Sequence, residues 1–150
     1  MAKGLLRVDI HFLSKTAKKP EKMSNFAAGY DIYADIDEDI ELKPMARTLI
    51  PTGFALSLPK NLEAQIRARS GLAINHGITV LNSPGTIDSD YRGEVKVILI
   101  NLSDKDFTIQ KNMRIAQMIL TQHESVDFVE VQLLDQTERG EGGFGHTSLK

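Results

Sequence analysis

Residues 94–101 read EVKVILIN, and this stretch decides the fold class. Val95, Val97 and Leu99 alternate along an extended backbone and share one face, while Ile98 and Ile100 extend the other. The pattern predicts a strand buried on both sides. The period of two recurs outward from it. In 114–121, Ile115 and Ile119 share one face and Ala116, Met118 and Leu120 the other. In 53–58, Phe54, Leu56 and Leu58 alternate with smaller or polar residues. In 5–12, Leu6, Val8, Ile10 and Phe12 alternate with Arg7, Asp9 and His11, and 126–131, VDFVEV, is rich in β formers. Turn signals separate these runs at Lys43-Pro44, Pro51-Thr52-Gly53, Pro59-Lys60-Asn61, Ser83-Pro84-Gly85 and Leu102-Ser103-Asp104-Lys105. No longer window keeps a helical period. One short helix is predicted over 70–76, with Ser70 able to cap it and Gly77 able to stop it. The expectation is an all-β sandwich or barrel with one short helix.

The chain has 150 residues, which suits a single domain, and no linker divides it. Its 18 Lys and Arg against 20 Asp and Glu leave a net charge of −2, so a general nucleic-acid binder is disfavoured. It contains no cysteine, which excludes disulfides, thiolate metal sites and a cysteine nucleophile. No apolar run is long enough to span a membrane, and charges interrupt the apolar N-terminus, MAKGLLRVDIHF, as they do not in a signal peptide. A cytoplasmic, reducing compartment is expected.

Two segments differ from the rest. Residues 14–23, SKTAKKPEKM, form a basic loop that reads as a solvated surface turn. Residues 136–150, QTERGEGGFGHTSLK, cannot build a packed core and read as a flexible C-terminal arm, leaving a core of about 1–135. Within that arm, Phe144 stands alone between glycines, with Arg139 upstream.

Two constellations have the composition of chemical sites. In 67–77, RARSGLAINHG, Arg69, Ser70 and Gly71 supply a guanidinium, a hydroxyl and free backbone N–H groups, the ingredients of an anion site or of a plain strand-to-helix turn. In 82–94, NSPGTIDSDYRGE, a turn leads to Asp88 and Asp90, which point the same way if the backbone is extended. Two like charges side by side call for a cation, an Arg partner or a water to deprotonate. His11, His76, His123 and His146 lack metal-ligand spacing, and no GxSxG elbow is present.

Taken together, five segments resemble the motifs of the trimeric all-β deoxyuridine triphosphatases (dUTPases), in the family's order. They are AAGYDIYA at 27–34, RSGLAINHGI at 69–78, the segment 82–94 with TIDSDYRGE at its core, RIAQMI at 114–119 and RGEGGFGHT at 139–147. The resemblance implies a jelly-roll-like fold, a homotrimer with active sites at subunit interfaces, and hydrolysis of dUTP to dUMP and pyrophosphate with Mg²⁺. Such an activity supplies dUMP for thymidylate synthesis and keeps uracil out of DNA.

The same resemblance assigns roles by position. Asp88 matches the general base that deprotonates the attacking water. Tyr91 matches the ring packed under the deoxyribose, and Asn82 the polar group at the uracil edge. Thr86 and Ile87 belong to the hairpin that reads uracil through its backbone. Arg69, Ser70 and Gly71 match the phosphate cradle, and Asp31 and Gln117 the positions that hold Mg²⁺ through its water ligands. Arg139, Gly145 and Thr147 match the arm's substrate contacts, and Phe144 the ring that stacks on uracil. Arg92, Glu94 and Arg114 are expected to hold loops and interfaces together. His146 stands where the family usually has Ser, Ser148 where it has Gly, and Asn112-Met113 replace a common Gly-Asp. A dCTP deaminase of the same superfamily and a non-catalytic trimeric dUTP-binding regulator are the rivals. The complete arm and the presence of Asp88 disfavour them.

Overall fold

The computed structural model describes residues 5–144. Its strands are β1 (Asp9–Phe12), β2 (Tyr30–Tyr33), β3 (Ile40–Leu42), β4 (Arg47–Ser57), β5 (Leu62–Arg67), β6 (Ile78–Val80), β7 (Gly85–Ile87), β8 (Glu94–Asn101), β9 (Phe107–Ile109) and β10 (Arg114–Gln122), with one helix, α1 (Ser70–His76). The strands form a sheet in the order β1-β4-β8-β6, a second in the order β2-β10-β5-β7, and the ribbon β3-β9. Their pairings are antiparallel. This is an all-β sandwich, as the alternation predicts, and jelly-roll-like, as the resemblance implies.

The core lies where the apolar faces of the strands meet. Val95, Val97 and Leu99 of β8 are buried, together with Ile50 and Phe54 of β4, Ile66 of β5 and Ile115 of β10. Ile98 and Ile100 are only partly buried, so β8 is closed on one face and half open on the other. Asn101 ends β8 with a fully buried amide whose nitrogen donates to the carbonyls of Leu42 (2.8 Å) and Lys105 (2.7 Å). Its side-chain oxygen accepts from the Ser103 backbone N–H (2.9 Å) and hydroxyl (2.8 Å). One side chain thereby ties β3 to the turn after β8, and every polar atom it buries is paired.

Three expectations need correction. Ser70 is the first helical residue rather than the cap, and the extended residue before it, Arg69, makes no side-chain capping bond. Gly77 does stop the helix, at φ 65°, a left-handed conformation that glycine adopts without a Cβ clash. The N-terminal strand is shorter than 5–12, because only Asp9–Phe12 faces β4, and Leu6 and Phe12 remain exposed. The VDFVEV segment is not a strand. Residues 123–144 carry no helix or strand, and Val126, Phe128, Val129 and Val131 are exposed. β formers make a strand only where a neighbouring strand accepts their hydrogen bonds, and within the described chain none does so here.

Candidate active site

The first cluster arises from strand register. β10 lies between β2 and β5, so Gln117 is opposite Asp31 on one side and Arg67 on the other. A register shift between Arg114 and Ala116 bends the start of β10 against β2. There the Arg114 guanidinium Nη1 donates to Asp31 Oδ2 (3.1 Å). Arg69, just beyond β5, places its Nε 3.3 Å from the same oxygen and donates from Nη1 to the Arg114 carbonyl (3.1 Å). The Asp31 side chain is 13% exposed, so two cations share one largely buried carboxylate oxygen. Such a pairing is geometrically demanding and orients both guanidinium planes.

Gln117 donates from Nε2 to the Ala68 carbonyl (3.0 Å). A Cβ at Gly29 would come within 2.4 Å of Gln117 Oε1, so the glycine makes room for this amide. The Ser70 hydroxyl, free of capping, and Gly71 open the helix as exposed residues. A Cβ at Gly71 would meet nothing within 4 Å among the described residues.

The second cluster sits at β7 and the turn after it. Thr86, Ile87, Asp88 and Tyr91 line a cavity of about 260 Å³ with Leu49 and Lys96. The backbone turns between Asp88 and Tyr91, whose N–H donates to the Asp88 carbonyl (3.2 Å). Asp88 and Asp90 are therefore not on one extended strand. Both nonetheless border a wider recess of about 730 Å³ that also contains Lys60 and His123. Among the described residues, neither carboxylate has an ion-pair partner within 4.0 Å. Lys60 and His123 carry no motif, and no sequence signal could have placed them beside Asp88.

The Tyr91 hydroxyl donates to the Glu94 carbonyl (3.0 Å), which fixes the ring at the cavity wall. Asn82 is exposed, with its amide nitrogen beside Gly85. Arg92 Nη1 donates to the carbonyls of Ser89 (2.7 Å) and Tyr91 (3.0 Å), and Glu94 Oε1 accepts from the Gly53 N–H (2.9 Å). Arg92 and Glu94 thus hold the chain around the turn, as Arg114 holds Asp31.

The described part of the arm, 136–144, makes no hydrogen bond or ion pair to either cluster. Arg139 Nε donates to the Gly142 carbonyl (2.7 Å) within its own turn, and Phe144 is fully exposed. Gly145, Thr147, His146 and Ser148 lie outside the described residues. The two clusters are themselves far apart. Ile87 is opposite Ala64 near the start of β5, whereas Arg69 follows its far end. At about 3.3 Å per residue, the run from Glu63 to Arg69 spans roughly 20 Å.

No group of three or more His, Asp or Glu among the described residues is placed to cage a metal directly. One carboxylate oxygen of Asp31 and the side-chain oxygen of Gln117 are left without a side-chain donor, the acceptor set that suits a hydrated Mg²⁺ ion.

The dUTPase family model matches residues 15–148. The deoxyuridine 5'-triphosphate nucleotidohydrolase of Fusobacterium nucleatum is 56% identical over 128 residues, covering 85% of this chain and 88% of its own length. That of Rickettsia prowazekii is 57% identical over 130 residues, covering 87% and 88%. Among solved structures, the Staphylococcus bacteriophage 80alpha dUTPase with dUpNHpp superposes at TM-score 0.82 and 26% identity, covering 93% of this chain and 97% of that one. A mutant of the phage phi11 dUTPase, described for its coordination of a structural Mg(II) ion, superposes at 0.79 and 20% identity, covering 87% and 100%. With the motifs, the sandwich and these likenesses in agreement, the chain belongs to the dUTPase family.

Proposed function

We propose that this chain hydrolyses dUTP to dUMP and pyrophosphate at sites built between the subunits of a homotrimer. The observation that carries the shared site is the separation of Arg69 from Asp88 along β5. A cradle that grips the phosphates and a base that deprotonates a water at the α-phosphorus must stand within a few ångströms of one nucleotide. One chain holds them too far apart, so Arg69 of one subunit serves with Asp88 of another. The exposed apolar side chains of 126–134 and of Phe144 support an assembly that covers them.

In this reading Arg69, Ser70 and Gly71 hold the phosphate tail. Asp31 holds the Arg69 guanidinium at Nε and the Arg114 carbonyl holds it at Nη1, which leaves Nη2, uncontacted among the described residues, for the ligand. Asp88 orients the water and takes its proton. Tyr91, locked by Glu94, sits under the sugar and leaves no room for a 2′-hydroxyl. Asn82, with the backbone of Thr86 and Ile87, reads the uracil edge, and a site built for those hydrogen bonds rejects cytosine because buried partners go unpaired. Arg139, Phe144, Gly145 and Thr147 close over the nucleotide from a further subunit.

Mg²⁺, held through water by Asp31 and Gln117, supplies charge neutralisation on the phosphates when bound. The absence of cysteine suits a reducing, cytoplasmic setting. Pyrophosphate release measured across dUTP, dCTP, dTTP and UTP with Mg²⁺ tests the function. Release from dUTP alone is expected. Ammonia release from dCTP, or binding of dUTP without turnover, would replace this reading with a deaminase or a regulator.

A further inference from the structure

The lysine-rich stretch 14–23 has no part in the hydrolysis set out above, and it is not a loose loop. At one end Ser14 and Thr16 donate hydroxyl hydrogen bonds to the Asp35 carboxylate, the latter at 2.5 Å. At the other end Glu21 exchanges both backbone hydrogen bonds with Asp31 (3.1 and 2.7 Å), and the Tyr33 hydroxyl donates to the Glu21 carboxylate (3.3 Å). Between these anchors Lys18 Nζ lies 5.0 Å from the centre of the Tyr33 ring, and Lys22 Nζ just beyond lies 5.1 Å from that of Tyr30.

A cation over a ring is positioned without being neutralised, unlike one in an ion pair. Among the described residues, no carboxylate comes within 4.0 Å of Lys15, Lys18, Lys19 or Lys22. Of the nearby acids, Asp31 is paired with two arginines and Asp37 with Lys111, whereas Asp35 and Glu21 accept from neutral hydroxyls and keep their charge. Among the described residues, Asp35, Glu21, Glu38 and Asp39 have no cationic partner within 4.0 Å and offset part of the lysines' field. The stretch runs beside β2, and Arg114 starts β10 on the other side of β2. Two strand spacings are roughly 10 Å, about one Debye length at ~0.1 M salt. Lys22 stands beside Leu62, Leu120 and Gln122 at the far end of β10, but Lys18, over the ring of Tyr33, is next to the residue opposite Arg114, so an anion approaching Arg69 and Arg114 passes within the field of Lys18 and its neighbours Lys15 and Lys19.

We propose that Lys15, Lys18 and Lys19 of the pinned strap form an electrostatic capture surface for the phosphate tail of the nucleotide, delivering it to Arg69. This rests on the reading of Arg69 as the phosphate cradle. Steering acts on the rate of encounter and fades with salt.

The test follows association and dissociation of the non-hydrolysable analogue dUpNHpp with the full-length protein by stopped flow. In the Lys15→Gln/Lys18→Gln/Lys19→Gln variant, association is expected to fall about three- to tenfold at ~20 mM ionic strength, and the gap to close near ~0.5 M. Dissociation should stay unchanged, and dUMP, with fewer charges, should lose less. Lys15→Gln/Lys19→Gln, which keeps both ring contacts, should retain most of the effect if the triple variant is poorly folded. Lys105→Gln, on the turn after β8, should change little. An unaltered salt slope, or an equal loss at both salts and for both ligands, would overturn the proposal. Arg69→Ala is the separate check on the cradle: if it binds dUpNHpp like the wild type, the cradle reading fails, whatever the strap does.

Discussion

Arg69 and Asp88 flank opposite ends of β5, roughly 20 Å apart by strand geometry, in the same chain. A single chain therefore displays two separate clusters, each ordered by its own contacts, Arg69 by Asp31 and Arg114, and Asp88 by the turn that Arg92 and Tyr91 close.

A site that joins Asp88 of one subunit to the arm of another, as proposed above, predicts complementation between dead variants. Asp88→Asn and a truncation ending at Glu138 should each be inactive. After co-refolding, random mixing in a closed ring of three makes one site whole in each mixed trimer, so up to about a quarter of wild-type activity should return. Mixed trimers seen by native mass spectrometry without activity would put Asp88 and the arm in one site from one chain.

Gly71 offers a test that leaves the fold untouched. A Cβ there meets nothing within 4 Å among the described residues, and no positive φ is recorded at this glycine. Gly71→Ala should therefore leave the melting temperature within a degree or two or raise it slightly, as Gly-to-Ala changes in helices do. Affinity for dUpNHpp should nevertheless fall about tenfold or more. Equal affinity in the variant would mean that no ligand atom approaches this backbone.

Tyr91 should gate the sugar. Its ring is fixed by the hydroxyl bond to Glu94, so Tyr91→Ala opens the cavity beside Asp88. The ratio of kcat/KM for UTP to that for dUTP should rise about tenfold or more, the scale of a removed steric contact. A constant ratio would remove the gate.

Phe144 is fully exposed in the single chain, so its loss costs no packing there. Phe144→Ala should keep the oligomeric state and the melting curve while lowering turnover, since base–aromatic stacking contributes about 1–3 kcal/mol. Wild-type kinetics would make the GGFG segment a plain tail.

Asn101 is the stability counterpart. Asn101→Leu deletes four hydrogen bonds, takes the buried amide donor from the Leu42 carbonyl and the acceptor from the Ser103 N–H, and leaves the Lys105 carbonyl only the Ser103 hydroxyl (3.1 Å). Each unsatisfied buried group costs about 1–3 kcal/mol, so denaturant unfolding should show a loss of roughly 3 kcal/mol or more. A smaller loss would mean that water enters to replace the amide.

The period of two in 94–101 and 114–121 made β8 and β10 legible, because long strands repeat their burial pattern often enough to be seen. β3, β6, β7 and β9 were not legible, since three residues show no period. The 126–131 segment misled for the opposite reason: it carries β propensity without a strand beside it.

By itself the sequence determined the all-β class, the short helix ending at Gly77 and, through five ordered motifs, the family. Those are properties of adjacent residues: alternation, a left-handed glycine, a local string of side chains. Only the tertiary structure decided that Asp31 spends one oxygen on Arg69 and Arg114, that Lys60 and His123 border Asp88, that the lysine strap is zipped to Asp31, and that Arg69 and Asp88 stand apart. Those relations join residues far separated along the chain. They depend on strand register, where a slip of one position would turn every side chain to the other face, and no local pattern encodes which strand lies beside which.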